Sequence, residues 1–303
     1  MAYQFEYYGS GRSNVPSGAH LAAFVRSGGP NITDDSFIRA RLYTTLNAAL
    51  ALCQAGVENY VIVLPGHAEN VSAADQMSSL IANTKIVGMG EGTLRGAFTW
   101  TAATATFLLD VANVKLSNLQ LVLATSANSG VSVAAPITVT GSSCEISDCL
   151  ITAPGDANDL ATIGITVSTG GAYFNFLRNV CIGATAAIST AFLSIAAVVD
   201  GVLLQGNYIS WATSVVTVGS VRATAAATNL RILDNFIANK LASSEEALTL
   251  ANSVTGFWDR NFLVVNDNAS VALDNDGDMS YGNDNYLQNN TAERGLQLGT
   301  VSA

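Results

Sequence analysis

Leu233-Asp234-Asn235-Phe236 decides the reading of the fold, because the same phrase keeps returning along the chain. Its pattern is apolar, any residue, Asn or Asp, then apolar or aromatic. Earlier copies read Leu116-Ser117-Asn118-Leu119, Ile146-Ser147-Asp148-Cys149, Leu177-Arg178-Asn179-Val180 and Gln205-Gly206-Asn207-Tyr208. Later copies read Asp259-Arg260-Asn261-Phe262 and Asn283-Asp284-Asn285-Tyr286. From Asn118 through Asp148, Asn179, Asn207, Asn235 and Asn261 to Asn285, the steps are 30, 31, 28, 28, 26 and 24 residues. Repetition at such a period marks a solenoid, in which one supersecondary unit stacks on the next. Asn enters the left-handed backbone region and bonds its own backbone, so each copy reads as a tight corner. One corner per coil predicts an amide ladder along the solenoid axis.

Composition agrees with long, narrow, close-packed sheets. Nearly half of the 303 residues are apolar and only 12% are charged, and the many Thr and Val residues favour strands. The net charge of −10, with only 13 Lys and Arg, argues against binding nucleic acid or anionic lipid, since both need cations to neutralise phosphate. Carbohydrate, metal and protein partners are all compatible with it. Cys53, Cys144, Cys149 and Cys181 form no CxxC pair, so they read as reduced, buried thiols rather than zinc ligands. The opening Met-Ala-Tyr-Gln-Phe-Glu lacks the basic and apolar regions of a signal peptide, which predicts folding in a cytoplasm. The weakly charged window from Ala186 to Leu204 is interrupted by Ser189, Thr190, Ser194, Asp200 and Gly201. It reads as two buried strands with a turn at Asp200-Gly201, not as a membrane span.

Residues 1–40 do not repeat and read as an arm. Tyr3, Phe5, Tyr7 and Tyr8 form an aromatic segment that would dock on its own helix, a sister subunit or a larger assembly. A helix is expected over 36–56, capped by Asp34, Asp35 or Ser36, with Phe37, Ile38, Leu42, Leu46, Ala49, Leu50 and Cys53 on one stripe and Gly56 at its end. It would cover the open end of the solenoid, whose first coil exposes core and strand edges. The solenoid itself is expected over 41–290, with strands at 59–64, 104–109, 136–140, 163–167 and 215–218. A polar tail follows at 291–303, where Leu296 and Leu298 could close the last coil.

The helix, the strand and Leu64-Pro65-Gly66 with nearby Glu69 resemble the start of right-handed parallel β-helix proteins of the pectin-lyase-like class. The Asn corners extend the resemblance to about residue 287. Within that class, Val63-Leu64-Pro65-Gly66-His67-Ala68-Glu69-Asn70-Val71, followed by Ile86-Val87-Gly88-Met89-Gly90, resembles virion proteins of tailed bacteriophages. This resemblance implies an all-β, single-stranded right-handed parallel β-helix and a homotrimer mounted on a phage particle. Glycan-cleaving tailspikes of that kind usually carry a separate attachment domain, for which about 40 residues before the helix leave little room.

Candidate sites each compete with a structural reading. His67 with Glu69 is the only His–carboxylate pair close in sequence, and it reads as turn structure because no nucleophile or third partner stands near it. Glycoside hydrolysis needs two facing carboxylates. The acids to consider are Asp148, Asp156, Asp159, Asp200, Asp234, Glu245, Glu246 and Asp259, with Glu245-Glu246 expected in solvent. A lyase would pair calcium-binding aspartates with a basic residue. Arg178 and Arg231 lie near corners and Arg222 reads as a loop residue, without an accompanying Asp cluster. Asp274-Asn275-Asp276-Gly277-Asp278 begins like a calcium loop but has Met279 and Asn285 where Gly and Glu are needed. Trp211, Trp258, Tyr173, Tyr208, Phe236, Phe257, Phe262 and Tyr286 could offer a sugar-stacking stripe; the four that follow a corner Asn read instead as an internal stack. Gly88-Met89-Gly90-Glu91-Gly92 reads as a turn and not a phosphate cradle. The expectation is therefore a structural virion protein without cofactor, metal or catalytic residues, most simply a trimeric head decoration or cement protein bound to the major capsid protein. The alternative is a tail spike or fibre that binds a receptor or cleaves a surface glycan.

Overall fold

The computed structural model describes residues 18–27, 40–123, 133–153, 161–183, 190–213, 219–240, 246–251, 253–266, 273–275, 278–282, 284–288 and 294–297. The protein is a right-handed parallel β-helix. Each coil visits three sheets in turn, as in Lys115–Ser117, Gln120–Val122 and Ile137–Val139, before the next coil begins at Glu145–Ser147. Among the described residues these sheets hold 11, 10 and 7 strands, here called the first, second and third. Apart from the last pair of the second sheet, neighbouring strands are parallel, so the strand hydrogen bonds join one coil to the next.

Alternation along each strand fills the interior. Ile146 points inward while Glu145 is half-exposed, and Leu116, Phe176, Leu204, Ile232 and Trp258 continue the same buried column. Leu121, Ile151, Cys181, Ile209, Ile237 and Leu263 form the matching column of the second sheet. Burial removes Cys149 and Cys181 from thiol chemistry, pushing Cys149 up to about 12 and Cys181 well above its ordinary value, whereas Cys53, expected to be buried, is only partly so.

The amide ladder occupies the corner between the first and second sheets. Asn179, Asn207, Asn235, Asn261 and Asn285 are all buried there. From Asn207 onward, Oδ1 accepts the backbone N–H and the Nδ2–H of the Asn one coil earlier. For Asn235 the two donors are the N (3.0 Å) and Nδ2 (2.9 Å) of Asn207. Its own Nδ2 donates to the Leu204 carbonyl at 3.1 Å and to Oδ1 of Asn261 at 3.0 Å. A sharp corner leaves backbone groups that no strand can pair, and the stacked amides satisfy them inside the wall.

Asn118 and Asp148 depart from the expected ladder by one position. Strand register pairs Ser117, Ser147, Leu177 and Gln205, which places Asn118 and Asp148 in line with Arg178 and Gly206 rather than with Asn179. This column adopts left-handed backbone, with φ of 54°, 57°, 53° and 68° in chain order, and Asp234 and Arg260 continue it. The ladder column is the next one, where Leu119 and Cys149 precede Asn179. The Cys149 N–H, bonded to Oδ1 of Asn179 at 3.0 Å, is its first rung. The left-handed turn and the amide are thus separate jobs on adjacent residues, and the register step from Asp148 is 30 residues to Arg178 rather than 31 to Asn179.

The N-terminal boundary also differs from the expectation. His20–Val25 is already a strand of the first sheet, parallel to Asn59–Val63, so residues 20–25 belong to the solenoid and not to an arm. Residues 1–17, with Tyr3, Phe5, Tyr7 and Tyr8, and residues 28–39 lie outside the described residues. Among the described residues the capping helix α1 spans Leu46–Leu50, and residues 40–45 and 51–56 of the expected helix are not helical. Leu42–Tyr43 instead pairs as a strand with Phe24–Val25, and Thr45 caps the helix by accepting the Ala48 N–H. Strand pairing wins over helical spacing here because the edge of the first sheet needs hydrogen-bond partners. At the far end Arg294–Gln297 turns back antiparallel on Asn285–Gln288 and closes the second sheet. No helix among the described residues is long and apolar enough to cross a membrane. The window from Ala186 to Leu204 holds strands Ala191–Ile195 and Val199–Asp200 and the start of Leu203–Gln205, so Asp200 pairs with Thr228 instead of turning, and among its described residues Gly201 alone takes left-handed backbone, at φ 71°. The strand expected at 215–218 lies outside the described residues.

Candidate functional site

His67 and Glu69 are built into the cap. The Ser27 N–H donates to His67 Nδ1 at 2.9 Å, so the ring's proton sits on Nε2 and is donated to Glu69 Oε2 at 3.1 Å. The same oxygen accepts the Leu46 N–H at 2.8 Å, at the first turn of α1. Gln76 Nε2 donates to Oε1 at 3.3 Å, and Phe98 lies against the imidazole at 5.2 Å. His67 is 1% exposed and Glu69 9%. The pair ties the first strand, the helix and the first coil together, and each polar atom faces another group of the chain instead of a substrate.

The carboxylates near the corner are held by arginines one coil away. Arg178 makes two bonds of 2.8 Å to Asp148, and Arg260 bonds Asp234 at 2.5 and 3.0 Å and Asp259 at 2.8 Å. Arg260 holds the Asp234 carboxyl below the usual carboxylate range. Glu246, expected in solvent, is buried and accepts from the Thr249 hydroxyl at 3.0 Å. Arg222 is a strand residue, not a loop residue, and donates to Ser194 Oγ at 2.9 Å. Asp156, Asp159 and Glu245 lie outside the described residues, as do Asp276 and Gly277 of the acidic turn, whose Leu273–Asn275 is a strand. Among the described residues no group of His, Cys, Asp and Glu side chains is arranged to hold a metal ion.

The aromatic residues divide in a way the sequence did not reveal. Trp211 and Trp258 are 2% and 0% exposed, so neither can stack on a sugar. Tyr208, Phe236, Phe262 and Tyr286 stack with centroids 4.8, 5.5 and 4.5 Å apart and planes within 10° of parallel. This stack is external, not internal. The ladder Asn points inward, so the next residue along the strand points out. Leu150 and Val180 extend the column toward the N-terminus, and Ile182 stands beside it two residues further along its strand. Val180, Ile182 and Tyr208 are 40%, 42% and 43% exposed. The outer face of the second sheet therefore carries a continuous apolar stripe along the axis.

A groove of about 630 Å³ lies at the other edge of the first sheet. A second left-handed column runs through Asn83, Asn113, Ser143, Tyr173, Gly201 and Asn229 with φ between 54° and 71°, and its last three members line the groove. Asn fits that backbone well; a bulky Tyr at φ 58° is strained. Glycine at 201 makes room for it, since a Cβ there would meet the Tyr173 ring at 2.4 Å. The ring lies against Gly201 and remains 54% exposed. Beside it, Asp200 Oδ1 accepts Asn229 Nδ2 at 2.6 Å and Thr228 Oγ1 at 2.8 Å. These bonds, with the Tyr173 hydroxyl, hold Asp200 below its ordinary pKa, and Asp200 in turn raises that of Tyr173. Arg231, Phe257, Asp278 and Ser280 line the groove over the following coils. Tyr173 and Phe257 are the residues of the expected sugar-stacking set that it contains. The sequence signal that could have found it is Tyr173 one 28-residue step before Gly201, in a column otherwise suited to Asn.

No family model and no curated protein matches the chain. Among solved structures it is similar to the A-module of the mannuronan C-5 epimerase AlgE6 of Azotobacter vinelandii. The identity is 14%, the match covers 91% of this chain and 99% of that one, and the TM-score is 0.31. No residue role is carried across at that level.

Proposed function

We propose that the chain is a structural protein of a tailed-phage particle, which assembles side by side into a homotrimer and decorates the head shell by binding the major capsid protein. The observation that carries the structural part of this reading is the apolar stripe on the second sheet. Leu150, Val180, Ile182, Tyr208, Phe236, Phe262 and Tyr286 form a straight, weakly charged band along successive coils. An exposed apolar band of that length favours burial against another surface. A straight solenoid offers the same band on every copy, as symmetric assembly requires. The buried Asn ladder and the parallel sheets suit a mechanical role, because every coil is hydrogen-bonded to both neighbours. The placement on a phage rests on the resemblance of the Val63–Val71 phrase and its continuation at Ile86–Gly90.

Sedimentation equilibrium of the purified chain tests the assembly. The expected result is a trimer that Ile182→Glu and Tyr208→Glu convert to monomer without changing the far-ultraviolet spectrum. A wild-type monomer at micromolar concentration would overturn this part. Quantitative mass spectrometry of purified particles tests the placement. A copy number comparable to the shell protein supports decoration, a few trimers per particle means a spike, and absence from particles removes the virion reading.

A further inference from the structure

From the groove beside Tyr173 we infer a binding site for a neutral oligosaccharide that runs along the solenoid axis. Coils stack at ~4.8 Å, close to the length of one pyranose residue in a glycan chain. The lining groups repeat once per coil: Tyr173, then Gly201, then Asn229 with Arg231, then Thr255 with Phe257, then Asp278 with Ser280. A linear sugar chain therefore meets one set of lining groups per residue. Tyr173 and Phe257 are three coils apart, or ~14 Å at that spacing, and are 54% and 39% exposed. An aromatic face is electron-rich and attracts the C–H face of a pyranose. The hydroxyls at the sugar's edge would meet the planar groups of Asp200, Asn229 and Arg231 between the two rings.

Two further observations point to a ligand. The corner imposes left-handed backbone on every member of the column, yet at this coil it is occupied by a bulky Tyr rather than Asn, Ser or Gly, and the ring stays 54% exposed over Gly201. Strain of this kind is retained where the side chain's position matters more than local stability. Asp200 is fixed by Thr228 and Asn229, so it presents its carboxylate in one orientation before any ligand arrives, which lowers the ordering cost of binding. The volume of about 630 Å³ lies within the range of small-ligand sites, about 300–1,000 Å³.

Charge selects the class of sugar. The lining carries Asp200 and Asp278 against the single cation Arg231, on a chain of net charge −10. A polyuronate would be repelled, whereas neutral hydroxyls can donate to both carboxylates and accept from the guanidinium.

The site is tested by saturation-transfer NMR and calorimetry on the intact chain. The probes are neutral tetrasaccharides (maltotetraose, cellotetraose, mannotetraose and galactotetraose), with tetragalacturonate as the acidic comparison. At least one neutral tetramer is expected to bind at millimolar concentration or tighter. Tyr173→Ala and Phe257→Ala should each weaken it tenfold or more, and Tyr173→Phe less than threefold. Ile182→Glu, on the opposite stripe, should leave binding unchanged, so a failure of the assembly reading is distinguishable from a failure here. If no neutral tetramer binds, if only tetragalacturonate binds, or if both alanine variants bind as wild type, the inference is wrong. Unchanged urea midpoints in Tyr173→Phe and Phe257→Ala guard against loss of fold.

Discussion

Asn235→Ala removes one rung from the middle of the ladder, and the structure sets the expected cost. Oδ1 of Asn235 accepts the backbone N–H of Asn207 at 3.0 Å inside the buried corner. Without it that N–H is orphaned, at about 1–3 kcal/mol. The Leu204 carbonyl loses the Nδ2 donor at 3.1 Å, worth about 0.5–1.5 kcal/mol. The other two bonds are partly backed up: Nδ2 of Asn207 also donates to Phe176 O at 2.8 Å, and Oδ1 of Asn261 also accepts the Asn235 N–H at 3.0 Å. The sum is ~3 kcal/mol, or ~100-fold in the opening equilibrium of that coil. Hydrogen exchange at the Asn207 amide reads this directly, and the urea midpoint reads its global share. Asn175→Ala is the control, since that exposed side chain bonds only the Tyr173 carbonyl, at 3.3 Å, and should move stability by less than about 0.5 kcal/mol. Asn235→Asp sharpens the test. It keeps both acceptor contacts but turns an oxygen toward the Leu204 and Asn261 acceptors, so the folded state favours the protonated acid. Folded chains then bind more protons than unfolded ones, and the variant loses stability as the pH rises above about 3.9. If Asn235→Ala changes Asn207 exchange no more than Asn175→Ala does, the ladder is ornamental and the account of the corner fails.

Further outcomes follow from single contacts. Gly183→Ala places a Cβ 2.5 Å from the Trp211 ring, and thermal unfolding should show a loss of about 1–3 kcal/mol. Asp234→Asn removes one of the two carboxylate partners of Arg260 on an exposed surface, so its effect at pH 7 stays below about 1 kcal/mol in urea titrations. Because Arg260 lowers the folded-state pKa of Asp234, the wild-type advantage is present above about pH 4 and vanishes as the pH falls through the folded value. Native protein treated with iodoacetamide at pH 8 should label Cys53 before any other cysteine, with Cys149 and Cys181 modified only after unfolding, as peptide mapping would show. Glu69→Ala should expose the helix α1 amides to exchange first, because Leu46 N–H and His67 lose their common acceptor.

The sequence alone determined the stacking. Asn207, Asn235, Asn261 and Asn285 recur because a buried corner needs an amide at every coil, and a one-dimensional repeat writes that need directly into spacing. The 3.6-residue pattern around Leu46 and Leu50 likewise announced a helix, though not that Leu42–Tyr43 would leave it to pair with Phe24–Val25. What the tertiary structure decided is phase. Asn118 and Asp148 match the phrase yet stand one residue away from the ladder, because register is fixed by pairing of Ser117 with Ser147 and of Ser147 with Leu177, not by the identity of the corner residue. A shift of one residue exchanges inside for outside. The same alternation puts Tyr208, Phe236 and Phe262 on the outer face, opposite to the internal stack that their regular placement implied, and Trp211 and Trp258 in the core. The groove was the least legible feature, since Tyr173, Arg231 and Phe257 are separated by whole coils. They become neighbours only when 28- and 26-residue steps are folded into stacked rungs and a glycine at 201 lets the Tyr173 ring lie flat against the next coil.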